Sequence, residues 1–401
     1  MMLDRDKLYR LPWTKRDNPG GWVEVTDECD LVCPGCYRHH LEGHRPLAEV
    51  KKDILAVQKL TNCDRMAVAG GEPLLYPQIV DVIEFIAAHN MKPLLLTNGV
   101  KLTEELARRF KKAGLAKYHI HVDSGMKRPG WTGKNEVELN ELRQYYADLI
   151  WDVGGVQCGY NITISRPNLR YMPAIVDWAR DNIQKVHHLS LVAYRAIPLA
   201  EDIEYMVNGK IIDAGRLQHS SHDLGESDIT TTEMYGLLLK HYKHYTPATY
   251  TTGTAAPESY KILAAIHVGS KRGIYGFMGA RAVELVQSSY HLFKKKYFDF
   301  LKSPKAGKKL FLLSLVDREL RRALFNFTKR CLRNPVSLFD KVYVQCISLQ
   351  QPNEFYNGQA NLCDGCLNMM VYKGELIPSC RLDEYRMFGG PMIPVLKRGA
   401  V

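Results

Sequence analysis

No stretch of this 401-residue chain reaches the ~18–20 uncharged apolar residues of a membrane-spanning helix. The opening residues, MMLDRDKLYRLPW, carry charges and no apolar run, so they do not read as an export signal. There is no clean repeat and no long low-complexity tract. Acid is scarce in one place: residues 291–333 hold three Asp or Glu against thirteen Lys or Arg, +10 of the chain's formal +11. A surface of that composition attracts anions, whether nucleic acid, phosphate-bearing substrate or anionic lipid. Interleaved base-stacking aromatics are missing there, so single-strand nucleic acid is not favoured. Cysteine, by contrast, is plentiful, at ten residues. They are too dispersed, in too long a chain, for a small secreted disulfide scaffold. A reducing cytoplasm is the expected location, with peripheral membrane contact through 291–333 as an extension of it.

Residues 26–40, TDECDLVCPGCYRHH, place Cys29, Cys33 and Cys36 in a C-x3-C-x2-C pattern. Thiolates this close on an irregular loop can converge on one soft metal centre. Three sulfurs leave one position of a four-ligand [4Fe–4S] cluster unfilled. Zinc competes, although structural zinc usually shows paired C-x2-C knuckles and four ligands. Further on, Met66–Ala69 reads as a buried strand running into Gly70-Gly71-Glu72-Pro73.

The cysteine pattern followed by Tyr37, with GGEP after the second strand, resembles the radical S-adenosylmethionine (SAM) superfamily. The resemblance implies that Cys29, Cys33 and Cys36 hold a [4Fe–4S] cluster whose open iron takes the amino and carboxylate groups of SAM. It implies Tyr37 along the adenine and Gly70, Gly71, Glu72 and Pro73 near the SAM amino group. An external one-electron reductant of flavodoxin or ferredoxin type would drive cleavage of SAM to methionine and a 5′-deoxyadenosyl radical, which removes hydrogen from an unactivated carbon.

Strands alternate with helices from Trp22 to Tyr194. The expected strands are 22–25, 66–69, 92–97, 117–122, 157–165 and 187–194; helices at 47–60, 79–89, 103–112, 140–151 and 172–182 separate them. Such alternation means right-handed β-α-β units and a parallel sheet. The expected fold class is α/β, a partial (β/α)6 TIM-type barrel with a helical insertion and a small C-terminal cysteine-rich hairpin domain. The expected division is a lead-in at 1–20, a core barrel at 21–200, a mixed and basic helical region at 201–340, and an auxiliary cluster domain at 341–401. Within 281–333, Phe293, Tyr297, Phe300 and Leu301, then Leu312, Leu315, Val316, Leu320, Leu324 and Phe327, follow helical spacing. They predict a basic amphipathic helical pair that either packs on the barrel or lies on an anionic membrane.

Cys346, Cys363, Cys366 and Cys380 form a second group. Cys363 and Cys366 make a C-x2-C knuckle, and a hairpin turned at Lys373-Gly374 leads to Cys380. Zinc or an auxiliary iron–sulfur cluster would suit it. The layout is similar to the SPASM or twitch extensions of the same superfamily, but the further C-x2-C-x5-C-x3-C run of a full SPASM domain is absent, so one auxiliary cluster is expected. Cys346 leads as fourth ligand. Cys63 and Cys158 read as buried core thiols.

In parallel barrels the chemistry lies on loops after the strand C-termini. Asn98, Asp123, Ser124, Asn161 and Arg195, at or near those ends, are therefore further candidates for SAM contacts, Arg195 for the carboxylate. The basic, aromatic loop carrying Arg128, Trp131 and Lys134 is a candidate substrate contact. His119 and His121 read as barrel-interior histidines. The expected function is a radical SAM enzyme acting on an amphipathic or anionic substrate, conceivably a lipid. The alternatives are a SPASM-type peptide- or protein-maturing enzyme and a non-catalytic metal-stabilised binding protein. The roughly twenty residues before the first strand are too few for a peptide-binding winged helix.

Overall fold

A computed structural model describes residues 3–39, 41–222, 229–299 and 307–397. Six strands alternate with five helices: β1 (Gly20–Thr26), α1 (Leu47–Thr61), β2 (Arg65–Gly70), α2 (Ile79–Ala88), β3 (Lys92–Thr97), α3 (Glu104–Lys112), β4 (Lys117–His121), α4 (Asn140–Val153), β5 (Gln157–Ile164), α5 (Met172–Asp181) and β6 (Val186–Ala193). The six strands are parallel and adjacent in chain order. Local chemistry sets their limits. The Thr103 hydroxyl accepts a hydrogen bond from the Leu106 amide at 3.2 Å and caps α3. Gly114, with φ +93°, supplies the left-handed residue just past that helix.

Side chains alternate across each strand. Val68, Leu95, Tyr118, Ile120, Tyr160, Ile162 and Leu189 lie in one core with apolar residues of the helices, Ile54 and Val82 among them. The complementary positions, Arg65, Lys117, His119, His188 and Ser190, line the concave interior and are buried or half-buried.

The sheet does not stop at β6, as the sequence reading had it. After α6 (Thr231–His241) come β7 (Thr249–Thr252), β8 (Tyr260–Ser270) and β9 (Gly273–Met278), and β10 (Tyr343–Gln350) follows later. β10 pairs parallel to β6, β8 antiparallel to β10, and β7 and β9 with the far side of β8. The region 201–340 is thus partly sheet, and the strand at 343 belongs to the main sheet rather than to a C-terminal unit. Ten of the eleven residues of β8 are buried; a strand covered on both faces shows no alternation to read.

The basic segment also differs from expectation. α7 (Ala280–Lys294) ends before Tyr297, with Lys295 at φ 56° as its left-handed cap. Tyr297 folds back to stack on His291 at 4.3 Å, and Phe300 and Leu301 lie outside the described residues. Lys308–Leu315 is 3-10 helix, and α8 (Arg318–Arg333) buries Leu320, Ala323 and Phe327 against β9 and its neighbours. Because Gly269 pairs with Tyr343 and Cys346 with His188, the β8–β9 turn lies at the N-terminal end of the parallel strands. α7 reaches the same end, where Tyr290 bonds Asp64 at 3.2 Å and Lys296 bonds the Cys63 carbonyl at 3.1 Å.

The C-terminal segment links opposite sides of the sheet. Cys363 bridges to Gly253 just past β7. The hairpin of β11 (Met369–Tyr372) and β12 (Glu375–Pro378) packs on β1 and α1. Its turn residues Lys373 and Gly374 have φ 48° and 86°, as a two-residue primed turn requires.

One buried ion pair anchors the β4–α4 connection. Arg143 and Glu136 are both fully buried, and Arg143 also donates to the Val122 carbonyl at 2.9 Å. An Arg143→Met variant leaves the Glu136 charge unpaired and is expected to lose about 3–5 kcal/mol of stability, read from denaturant unfolding.

Candidate active site

The cysteine loop leaves β1 and is held against the turn after β2 by backbone alone. The Gly71 amide donates to the Thr26 carbonyl at 2.8 Å, and the Glu72 amide to the Glu28 carbonyl at 2.7 Å. A Cβ on Gly70 would lie 2.3 Å from the Thr26 oxygen, and one on Gly71 2.1 Å from the Glu28 oxygen. Only glycine lets the loop lie this close.

Glu72 works inward from the same turn. Its carboxylate accepts from the Leu74 amide at 2.9 Å, the Thr97 hydroxyl at 2.6 Å and the Asn98 amide at 2.6 Å. Burial outweighs these bonds and pushes its pKa up to about 7. Asn98 in turn donates to Asp30, inside the cysteine loop, at 2.6 Å. Pro73 is buried and opens the short helical turn that follows.

Cys29, Cys33 and Cys36 are half-buried, and the Cys36 amide closes a tight turn onto the Cys33 carbonyl at 3.3 Å. Burial raises the Cys29 thiol to about 11, with the charges of Glu72, Asp30 and Cys36 adding to it. Cys33 is raised further by burial, then by Asp123, Cys36 and Cys29. The three sulfurs therefore lie within one another's electrostatic reach. Among the described residues no three His, Cys, Asp or Glu converge on a single-ion position. A tetrahedral ion needs its ligands about one point, whereas a cluster takes each thiolate on a different iron. The donor set fits the cluster better.

A second set lies beyond Tyr37 and Arg38. Burial raises Cys366 well above the ordinary thiol range, with Cys363 and Cys380 adding to it, and raises Cys380 to about 12, with Cys363 next among the causes. Cys346 is not with them. It sits in β10 opposite His188, buried, and the charges acting on it are those of Lys117 and Asp299. The expected fourth ligand is thus a barrel-interior thiol, placed by the same strand that extends the sheet. Cys63 and Cys158 are buried, as expected.

Tyr37 and Arg38 connect the two sets. Burial raises the Tyr37 hydroxyl, and Cys380, Cys363 and Cys36 all act on it. Its ring meets His219 edge-on at 5.0 Å, so the side chain is turned toward the second set. His219 is buried with both ring nitrogens unpartnered among the described residues. Arg38 is buried between two carboxylates, Glu24 on β1 at 2.8 Å and Asp383 at 2.9 Å, and also bonds the Ser379 carbonyl. Asp383 accepts from the His39 amide at 2.6 Å. These contacts were not foreseen, since no local pattern links residues 345 positions apart. Nor was Tyr194, whose ring lies 2.3 Å from where a Cβ on Gly35 would be.

The remaining candidates divide. Asp123 accepts from the His121 ring at 2.6 Å and the Thr163 amide at 3.0 Å. Despite burial, chiefly His121 holds its carboxyl down at about 2. The Ser124 amide donates to Glu136 at 2.8 Å, and Asn161 is half-buried on β5 beside His121. Arg195 is buried and donates to the Ile229 carbonyl at 2.5 Å, with Glu354 at 3.6 Å. Arg128, expected to reach substrate, is buried and bonds the carbonyls of Asn98 and His121, so it ties strand ends together. Trp131 packs against the core. Lys134 is exposed and pairs with Glu138 at 2.9 Å.

Deeper in the interior, Lys117 meets His188 at 2.8 Å, and His188 meets Ser190 and Ser348 at 3.3 Å each. His119 lies edge-on to His188 at 4.9 Å, and its Nε2 is unpartnered among the described residues. Burial lowers both histidines well below their ordinary range and Lys117 to about 8.

Residues 23–147 match the family model described as Radical SAM superfamily. The chain is 25% identical over 189 residues to a probable GTP 3′,8-cyclase of Methanocaldococcus jannaschii, covering 45% of this chain and 60% of that protein. It is 25% identical over 183 residues to the Fe-coproporphyrin III synthase of Methanosarcina barkeri, covering 43% and 44%. The chain thus spans about half the length of the curated relatives it matches. Among solved structures, Streptococcus suis SuiB bound to its precursor peptide SuiA aligns at 15% identity over 56% of this chain and 46% of that chain, with a TM-score of 0.39.

The interior lysine has a measurable consequence. With its folded pKa lowered to about 8, Lys117 sheds its proton in the folded state before the unfolded one. Stability should therefore rise from pH 8 toward the ordinary lysine range. Lys117→Met is expected to remove that part of the slope, measured as the difference between the two proteins' denaturation midpoints.

Proposed function

We propose that this chain, whose residues 23–147 match the Radical SAM superfamily model, is a radical SAM enzyme that takes a hydrogen atom from an unactivated carbon of a polar, anionic substrate held inside the barrel. The observation carrying this reading is the interlock of the cysteine loop with the Gly70–Gly71 turn, which holds three thiols at the C-terminal end of the parallel strands. When bound, a [4Fe–4S] cluster and SAM together supply one-electron cleavage of a carbon–sulfur bond and hydrogen-atom abstraction. The cluster would be held by Cys29, Cys33 and Cys36. Glu72 fixes Asn98 and, through it, the loop. Asp123 and Ser124 just past β4, and Asn161 on β5 beside the last residue of β4, are suited to the polar parts of SAM. Arg195 is assigned instead to closing the site with Glu354, and Tyr37 to the seam between the two sulfur sets. An external one-electron reductant is required.

Cys363, Cys366 and Cys380 would hold an auxiliary cluster without Cys346, in a C-terminal unit that begins after β10. Arg38 would keep the two sulfur sets in register and exclude water between them. An anionic substrate is favoured by the interior lining of Lys117, His119, His188, Ser190 and Ser348. A lipid substrate loses its motive, because the basic helical region lies at the opposite end of the strands from the cysteine loop. Maturation of a peptide is the second reading, favoured by the C-terminal cysteine hairpin.

Anaerobic reconstitution tests the assignment. The wild-type protein is expected to bind about eight iron per chain, and Cys346→Ala about the same. Cys363→Ala/Cys366→Ala/Cys380→Ala should keep about four iron, and with dithionite still form 5′-deoxyadenosine. Cys29→Ala/Cys33→Ala/Cys36→Ala should form none. Failure of wild-type protein to cleave SAM would leave only a metal-stabilised binding protein.

A further inference from the structure

The proposed radical chemistry leaves one large surface unused, the one built on α8 and the segments flanking it. Residues 307–340 hold eight Lys or Arg and three carboxylates. All three carboxylates are committed. Asp317 caps α8 and accepts from the Gly279 and Ala282 amides at 3.1 Å each. Glu319 pairs with Arg322 at 2.8 Å, and Asp340 with Arg272 at 2.7 Å. Lys309, Arg318, Lys329, Arg330 and Arg333 have no ion-pair partner among the described residues. Lys329, Arg330, Arg333 and Arg272 line one open cavity of about 730 Å³.

Apolar side chains stand among these cations. Phe325 and Leu332, seven residues apart on α8, share one face with Arg318, Arg322 and Lys329. Leu332 is 81% exposed, Leu315 on the preceding segment 81%, and Phe339 on the following one 83%. Exposed leucine and phenylalanine set in an excess of positive charge is the make-up of an element that lies at a bilayer surface.

We propose that this surface docks the protein on an anionic phospholipid bilayer, with headgroup phosphates in the Lys329–Arg330–Arg333 cavity and Leu315, Phe325, Leu332 and Phe339 entering the acyl boundary. A second copy fits badly, since a two-fold contact would set the same unpaired cations against each other. Nucleic acid offers phosphate but no apolar phase for the exposed leucines. The surface lies toward the N-terminal end of the parallel strands, so docking leaves the cysteine loop facing the aqueous side. The bilayer is a support here, and substrate arrives from solution.

Flotation of the full-length, anaerobically purified protein tests this independently of the chemistry. It should float with vesicles of phosphatidylcholine containing about one third phosphatidylserine and not with phosphatidylcholine alone, and the binding should weaken as salt rises. Lys329→Gln/Arg333→Gln should lower partitioning about thirtyfold. Phe325→Ser/Leu332→Ser should lower it at every salt concentration. Lys52→Gln/Lys59→Gln, on exposed α1 positions, should change nothing. All the substituted residues are surface ones, and unchanged thermal midpoints would verify the fold. Absence of flotation with the anionic vesicles, equal flotation with both kinds, or a dimer in sedimentation that Leu332→Ser dissolves would each overturn the proposal.

Discussion

The cysteine loop would have no fixed position without the two glycines that follow β2. Parallel pairing of β1 with β2 continues past the ends of both strands, and the Thr26 and Glu28 carbonyls are received where side chains would otherwise stand. Glu72 then passes that registration to β3 through Thr97 and the Asn98 amide, and Asn98 returns it to Asp30 in the loop. The Glu72, Thr97 and Asn98 part of this circuit is buried, Asp30 is its exposed end, and desolvation raises the Glu72 carboxyl to about 7. Water is therefore kept from Glu72 and its partners in the turn.

The second organising contact is ionic. Arg38 lies between Glu24 of the first strand and Asp383 near the chain's end. Three charges in a dry environment are costly unless they are met; here Ser379 and His39 add backbone hydrogen bonds to Arg38 and Asp383, while Glu24 Oε2 is buried without a hydrogen-bond partner among the described residues. The arrangement specifies position more than it adds stability. It sets one cysteine group relative to the other, with Tyr37 and the unpartnered His219 in the seam.

Much of this was legible in the sequence because it depends on short-range order. The alternating strands and helices announce themselves through apolar periodicity and the Thr103 cap. The cysteine spacing and GGEP name their own neighbourhood, and the Lys373-Gly374 hairpin is a local matter of φ. What was not legible depends on distance along the chain. β8 is covered on both faces and shows no alternation, with Lys261, His267 and Ser270 buried among its apolar residues. Cys346 is counted with the other C-terminal cysteines by proximity in sequence, yet β10 carries it into the barrel. Arg128 and Arg195 have the chemistry of anion receptors, but backbone carbonyls and Glu354 had already claimed them.

The bridging of opposite sides of the sheet by the C-terminal segment bears on how the molecule is made. Residue 38 precedes residue 383 by 345 positions, and the Gly253–Cys363 bridge also waits for late residues. On a ribosome the β/α steps emerge long before the strap that seals their open side. Throughout that interval the cysteine loop is reachable from the flank that Ser379 and Asp383 later cover. Nascent chains thus expose their sulfur-bearing loop until the segment carrying Ser379 and Asp383 has been made, and the docking of that segment acts as the closing step.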